Sequence, residues 1–236
     1  MALCNLGRAW LGLLVVLVVM PALAAVDEIL LADGWSEVTF DDKIPNRFLP
    51  GEAGDVVVQS DGSVSLVQRA LDVDLEATPI LSWRWRVTTQ APPTDLAVRG
   101  EDDRSLALYV AFPFVPEEAG VMERMRRAIV ERAAGKEAPG RVLMYVWGGE
   151  GDRGDRVESP YLGSSGIITI LRPAGAEPGV WLDEMVNIAE DYRRTFGSEP
   201  PDPISIAIGA DTDDTGSQAE GFVAGLTFVE RPRTSY

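Results

Sequence analysis

The chain has 236 residues, with 21 Lys+Arg against 37 Asp+Glu, no histidine and one cysteine, for a formal net charge of −16. That length is ample for a domain with a real hydrophobic core. Without histidine there is no Ser-His-Asp or Cys-His nucleophile pair, no His-ligated zinc and no imidazole shuttle, and a surface this acidic has no electrostatic reason to bind nucleic acid or anionic lipid.

The first predicted element is an export signal over residues 1–24. Arg8 is the only charge before Asp27, and an apolar run over 11–20 is broken by Pro21 and followed by Ala22-Leu23-Ala24, a small-x-small cleavage pattern. The apolar stretch over 9–26 is also long enough for a membrane anchor, but Pro21 with the Ala-x-Ala pattern favours cleavage after Ala24. No cysteine follows the small residues, which argues against a lipid anchor. Cleavage leaves residues 25–236 as a single domain with no transmembrane segment, in the periplasm or secreted. It also removes Cys4, so the mature chain has neither disulfide nor thiol.

From Val26 onward the dominant hydrophobic period is two. Strands are predicted over 36–40, 55–59, 63–68, 79–87, 104–112, 141–147, 166–171, 180–188, 204–209 and 221–230. Asp61-Gly62 between two valine-rich runs is a hairpin signal. About ten short strands without alternating helices predict a mainly β fold, an antiparallel jelly-roll-type β-sandwich. Two segments break the pattern. Residues 116–134 carry an i, i+3, i+4, i+7 apolar stripe with Glu117-Glu118 at the start and Arg126-Arg127 later, which predicts one inserted amphipathic helix. Residues 189–196 predict a short helix stopped by Gly197 and Pro200-Pro201.

Candidate functional residues begin in Trp83-Arg84-Trp85-Arg86-Val87. Alternation puts Trp83, Trp85 and Val87 on one face and Arg84 and Arg86 on the other. The plainer reading makes both tryptophans core and pairs the arginines with carboxylates. The functional reading is a glycan-binding surface in which Trp85, with Tyr109, Trp147 and Tyr161, stacks on sugar rings while Arg84 and Arg86 bond to hydroxyls or carboxylates. Next come Glu101, Asp102 and Asp103. Two carboxyls about 5–10 Å apart suffice for glycoside hydrolysis without histidine, which makes Glu101 and Asp102 the catalytic candidates. Asp102 and Asp103, as neighbours on one strand, point to opposite faces and are not expected to form that pair together. Later, Asp211, Asp213 and Thr215 are spaced like the first three ligands of a Ca²⁺ loop, with Gly216 at the turn. Phe222 stands where a bidentate Glu would complete such a loop, and an ordinary Asx-turn is the plainer reading. The segment 150–156 mixes both charges and reads as a solvated loop.

Trp83-x-Trp85-x-Val87, Asp102-Asp103 leading into Leu108-Tyr109-Val110-x-Phe112, and Tyr145-Val146-Trp147-Gly148 together resemble the exported bacterial domain-of-unknown-function 3047 family. So do Trp181, Glu190-Asp191-Tyr192 with Phe196-Gly197, and the stretch 206–216. The resemblance implies an exported protein similar to carbohydrate-binding β-sandwiches, and it brings no catalytic residues with it. The reading taken forward is a non-catalytic glycan-binding module with a polysaccharide partner, and Ca²⁺ at Asp211, Asp213 and Thr215 is a separate expectation set against the plain Asx-turn. The alternatives are a carboxylate-dependent glycan-cleaving enzyme and a structural or interaction protein of the envelope.

Overall fold

The structure, a computed structural model, describes residues 25–52, 54–115 and 140–231. The predicted export signal (1–24) and the predicted helix (116–134) lie outside the described residues. Among the described residues no helix is long and apolar enough to cross a membrane.

In chain order the elements are α1 (Glu28–Ala32), β1 (Ser36–Val38), β2 (Arg47–Pro50), β3 (Val56–Asp61), β4 (Val64–Ala70), β5 (Ile80–Thr89), β6 (Arg104–Phe112), β7 (Arg141–Trp147), β8 (Arg156–Ser159), β9 (Gly163–Arg172), β10 (Leu182–Asn187), α2 (Ile188–Phe196), β11 (Ser205–Asp211) and β12 (Gln218–Val229). They form a two-sheet β-sandwich of jelly-roll type. One sheet has the order β1-β4-β11-β6-β7-β9-β8 and the other β10-β5-β12-β3-β2. The period-two pattern explains the layering, because alternate residues of each strand fill the space between the sheets. Trp83, Trp85 and Val87 of β5 face Leu106, Leu108, Val110 and Phe112 of β6 and Tyr145 and Trp147 of β7 in one continuous core. Trp83 meets Trp85 edge-on at 5.5 Å between ring centroids, and Trp85 meets Trp147 at 5.8 Å. A smaller apolar layer on the far side of the larger sheet joins Leu96 to Ala107, Met144, Val146, Ile168 and Ile170.

Three features differ from the sequence expectation. The Asp61-Gly62 turn forms, with Gly62 in the left-handed region at φ 55°, but it is not a hairpin. β3 pairs with β2 and β12 while β4 pairs with β1 and β11, so the turn carries the chain from one sheet to the other. Buried hydroxyls hold the two sides together there: Ser60 Oγ lies 2.8 Å from the Ser63 carbonyl and 2.7 Å from Thr212 Oγ1. Secondly, β7 and β9 run parallel, because β8 lies outside β9 rather than between the two. Thirdly, β2 and β8 are strands that the hydrophobic pattern does not announce. Both are edges of their sheets, and edge strands are commonly blunted by charge or proline. Arg156-Val157-Glu158 has one apolar residue, and β2 ends in Pro50.

Candidate functional site

The alternation in β5 has the expected two faces. The tryptophans take the inner one, so the expected aromatic platform is corrected. Trp85 and Trp147 are each 0% exposed, and a ring that stacks on a sugar must be open to it. Trp85 instead donates its indole N–H to Glu184 Oε1 at 3.1 Å. Glu184 is itself buried and held by Arg153 and Arg172, each at 2.7 Å.

Arg84 and Arg86 face outward on the smaller sheet, where cross-strand register brings Phe222 of β12 opposite Arg86 and Asp183 of β10 opposite Arg84. The Arg84 guanidinium lies over the Trp181 ring at 4.8 Å. That of Arg86 lies over Phe222 at 4.2 Å and over Trp181 at 5.0 Å. Arg84 is exposed, and Arg86, Trp181 and Phe222 are half-buried. Neither arginine has a carboxylate within ion-pair distance among the described residues, and the buried Nε of Arg86 has no hydrogen-bond partner. Beside them Glu220 accepts hydrogen bonds from Thr88 Oγ1 (2.6 Å) and Gln59 Nε2 (3.0 Å). Those two bonds, with help from the Arg86 charge, hold its carboxyl below the ordinary carboxylate range against the opposing effect of burial. The result is a stacked aromatic-arginine surface flanked by polar groups. Trp181 and Phe222 were visible as residues of predicted strands, but their place beside Arg84 and Arg86 depends on strand register.

The second assembly joins the two acidic segments. Arg104, first residue of β6, is the cross-strand partner of Asp211 at the end of β11, just past a register shift. Its guanidinium donates to Asp102 Oδ2 (3.0 Å) and to the Tyr109 hydroxyl (3.1 Å), and pairs with Asp211 Oδ2 at 3.3 Å. Burial works against the charge on Arg104, but Tyr109, Asp211 and Asp102 outweigh it and keep the guanidinium protonated. Burial pushes the Tyr109 hydroxyl up. Asp103 is fully buried and organises the 211–216 turn: Oδ2 accepts from the Thr215 amide (2.8 Å) and hydroxyl (2.5 Å), and Oδ1 from the Asp214 amide (3.3 Å).

Burial pushes the Asp211 carboxyl up to about 8, and its contact with Asp213 adds to the rise. Asp213 goes the other way, below its ordinary range, since its bonds to Asp211 and Lys43 outweigh burial. Burial, then Asp213 and Asp103, raise Asp214. Carboxylate oxygens of Asp103, Asp213 and Asp214 lie within 4.8 Å of one another, so this triad could hold a metal ion. Tyr161, exposed, sits near Asp102 and Asp214, with Arg99 over its ring at 4.6 Å.

Asp102, Tyr109, Tyr161, Asp211 and Asp213 thus converge, as the sequence allows, but not in the roles expected. Glu101 is exposed, and among the described residues it makes no side-chain hydrogen bond or ion pair. The carboxyls that do meet, Asp211 and Asp213, are in contact, whereas glycoside hydrolysis needs a gap of about 5–10 Å for the scissile bond and water. Thr215 is also corrected as a metal ligand. The chain turns over 213–216; the Thr215 hydroxyl donates to Asp103, and Asp214 and Asp103 stand with Asp213 instead.

No curated protein matches the chain in sequence. Among solved structures, it is similar to a family 11 carbohydrate-binding module of the cellulosomal cellulase Lic26A-Cel5E of Clostridium thermocellum, at 10% identity and a TM-score of 0.44, covering 86% of this chain and 91% of that one. It is likewise similar to the xyloglucanase domain of NopAA, a type three effector from Sinorhizobium fredii solved with cellobiose, at 10% identity and a TM-score of 0.45, covering 84% and 95%. The profile described as "Protein of unknown function (DUF3047)" matches residues 33–227, and the chain therefore belongs to the DUF3047 family, as its aromatic and acidic motifs indicate.

Proposed function

We propose that the protein is an exported, non-catalytic glycan-binding module whose ligand lies on the outer face of the smaller sheet. The observation that carries this reading is the stack of Arg84 and Arg86 on Trp181 and Phe222, with no carboxylate paired to either arginine among the described residues. Stacking on a ring fixes a guanidinium as a flat plate and leaves its N–H edges free. Such edges donate to sugar hydroxyls or, as a fork, to a sugar carboxylate. The uncovered parts of Trp181 and Phe222 offer apolar surface to the C–H faces of a pyranose. Glu220, held by the hydrogen bonds that Gln59 and Thr88 donate to it, adds acceptors at a fixed position. An N-terminal segment removed on export would put this face in the periplasm or outside the cell.

The test is retention of the purified protein in gels cast with a panel of bacterial and plant polysaccharides, with product chain length measured in parallel. Retention without shortening is expected on at least one polysaccharide. Trp181→Ala and Arg86→Ala should each weaken it about tenfold, the scale of a partly desolvated cation–π and hydrogen-bonding contact. No retention on any matrix, or retention that both variants leave intact, would sink the proposal; shortened chains would make the protein an enzyme.

A further inference from the structure

The geometry points to a Ca²⁺ site at the acidic end of β6 and β11, formed by Asp103, Asp213 and Asp214 with the free oxygen of Asp211. Mutual repulsion in an acidic cluster is not by itself a reason for a metal, since exposed carboxylates are well solvated. Here the cluster has a buried member with one oxygen unfilled. The Asp211 side chain is 8% exposed, and its Oδ1 accepts no hydrogen bond although its carboxyl lies against that of Asp213. Asp102, 1% exposed, likewise has an unpartnered Oδ1. A buried carboxylate oxygen without a donor is costly, and a cation placed between facing carboxylates removes that cost.

The local charge balance points the same way. Four carboxylates (Asp102, Asp103, Asp213 and Asp214), beside the Asp211 carboxyl, are met among the described residues by two paired cations, Arg104 and Lys43. Arg104 is buried and occupied by Asp102, Asp211 and Tyr109. Lys43 is different: its side chain is 40% exposed, so it can swing into water and yield Asp213 to another cation. All the groups on offer are oxygens, which suits a hard ion. Triad oxygens within 4.8 Å of each other are close enough for one ion to bridge, and an irregular set of carboxylates suits the flexible coordination of Ca²⁺ better than the strict octahedron of Mg²⁺. The site is separate from the aromatic-arginine face and stands or falls independently of glycan binding.

The purified protein, stripped with chelator, would be titrated with CaCl₂ to about 10 mM, a range that covers weak extracellular Ca²⁺ modules. MgCl₂, and KCl at matched ionic strength, serve as controls. Thermal melting and calorimetry are read together. Ca²⁺ should raise Tm beyond the KCl control and give a one-site isotherm tighter than that for Mg²⁺. Asp214→Asn retains the backbone amide that Asp103 accepts from, so it should melt like the parent without metal yet bind Ca²⁺ about tenfold more weakly. Lys43→Gln should tighten binding by removing the competing ammonium. A Ca²⁺ effect no larger than that of KCl would overturn the site, and so would one that Asp214→Asn leaves unchanged.

Discussion

Glu184 holds a carboxylate where water does not reach: its side chain is 1% exposed. Ionised groups survive such places only when their oxygens are filled by donors. Oε1 accepts from Trp85 Nε1 and Arg172 Nε, and Oε2 from Arg153. The bonds link β10 to β5 and β9, one strand from each sheet joined through a single side chain. Removing one partner of a buried ionic network costs about 3–5 kcal/mol. The arginines here are partly exposed, at 50% for Arg153 and 24% for Arg172, and can rehydrate. Glu184→Ala should therefore sit at the low end, about 3 kcal/mol, in urea unfolding followed by tryptophan fluorescence. A loss no larger than that of the solvent-exposed control Glu199→Ala would show that the network is not what holds these strands.

Among the elements, α2 shows why some of the fold is legible from sequence. Its signals are local. Asn187 accepts from the Glu190 amide at 3.0 Å as N-cap, and Gly197 closes the helix in the left-handed region at φ 73°. Asp191 accepts from the Tyr145 hydroxyl at 2.8 Å, and Tyr192 packs on Phe112 at 4.6 Å and Phe196 at 4.7 Å, which gives the Glu190-Asp191-Tyr192 and Phe196-Gly197 motifs a structural meaning. Nothing lies within 4 Å of a Cβ added at Gly197, so the cost of Gly197→Ala is backbone strain alone, about 1–2 kcal/mol. A denaturation midpoint that does not move would contradict that assignment. β6 and β7, central and apolar, were equally readable, at the same boundaries. β2 and β8 were not, because a charged or Pro-ended edge strand carries little apolar pattern. The candidate sites failed to show for a different reason. Asp102-Asp103 and Asp211–Asp214 each stand out in the sequence, yet their meeting depends on the β6–β11 register. Arg86 and Phe222 are likewise neighbours only through the β5–β12 register. Alternation identified the two faces of β5 but not which one closes, since that is decided by the other sheet.

At the scale of the molecule the 37 acidic residues outnumber the 21 basic ones, and several arginines are already engaged. Arg104, Arg153 and Arg172 neutralise buried carboxylates, while Arg84 and Arg86 lie on aromatic rings. What remains carries a large excess of negative charge. Such an excess repels itself, and the folded state holds those charges closer together than the unfolded chain does. A domain of roughly 200 residues has a radius of gyration of about 16 Å. The Debye length is about 30 Å at 0.01 M salt and falls below about 10 Å above 0.1 M. At low salt every surface carboxylate therefore feels the others, and at moderate salt only its neighbours. Exposed ion pairs weaken over the same range, but each contributes little, and a net charge of −16 leaves far more repulsions than attractions to screen. Tm should accordingly rise between about 10 and 300 mM NaCl, by about 2–4 °C for each kcal/mol of repulsion relieved. A fall would mean that surface pairing outweighs the net charge. The same screening separates the two proposed sites. A Ca²⁺ effect confined to four named carboxylates must persist at 300 mM NaCl, where generic relief of repulsion has already been supplied, whereas binding of a neutral glycan on the arginine-aromatic face should hardly change across the series.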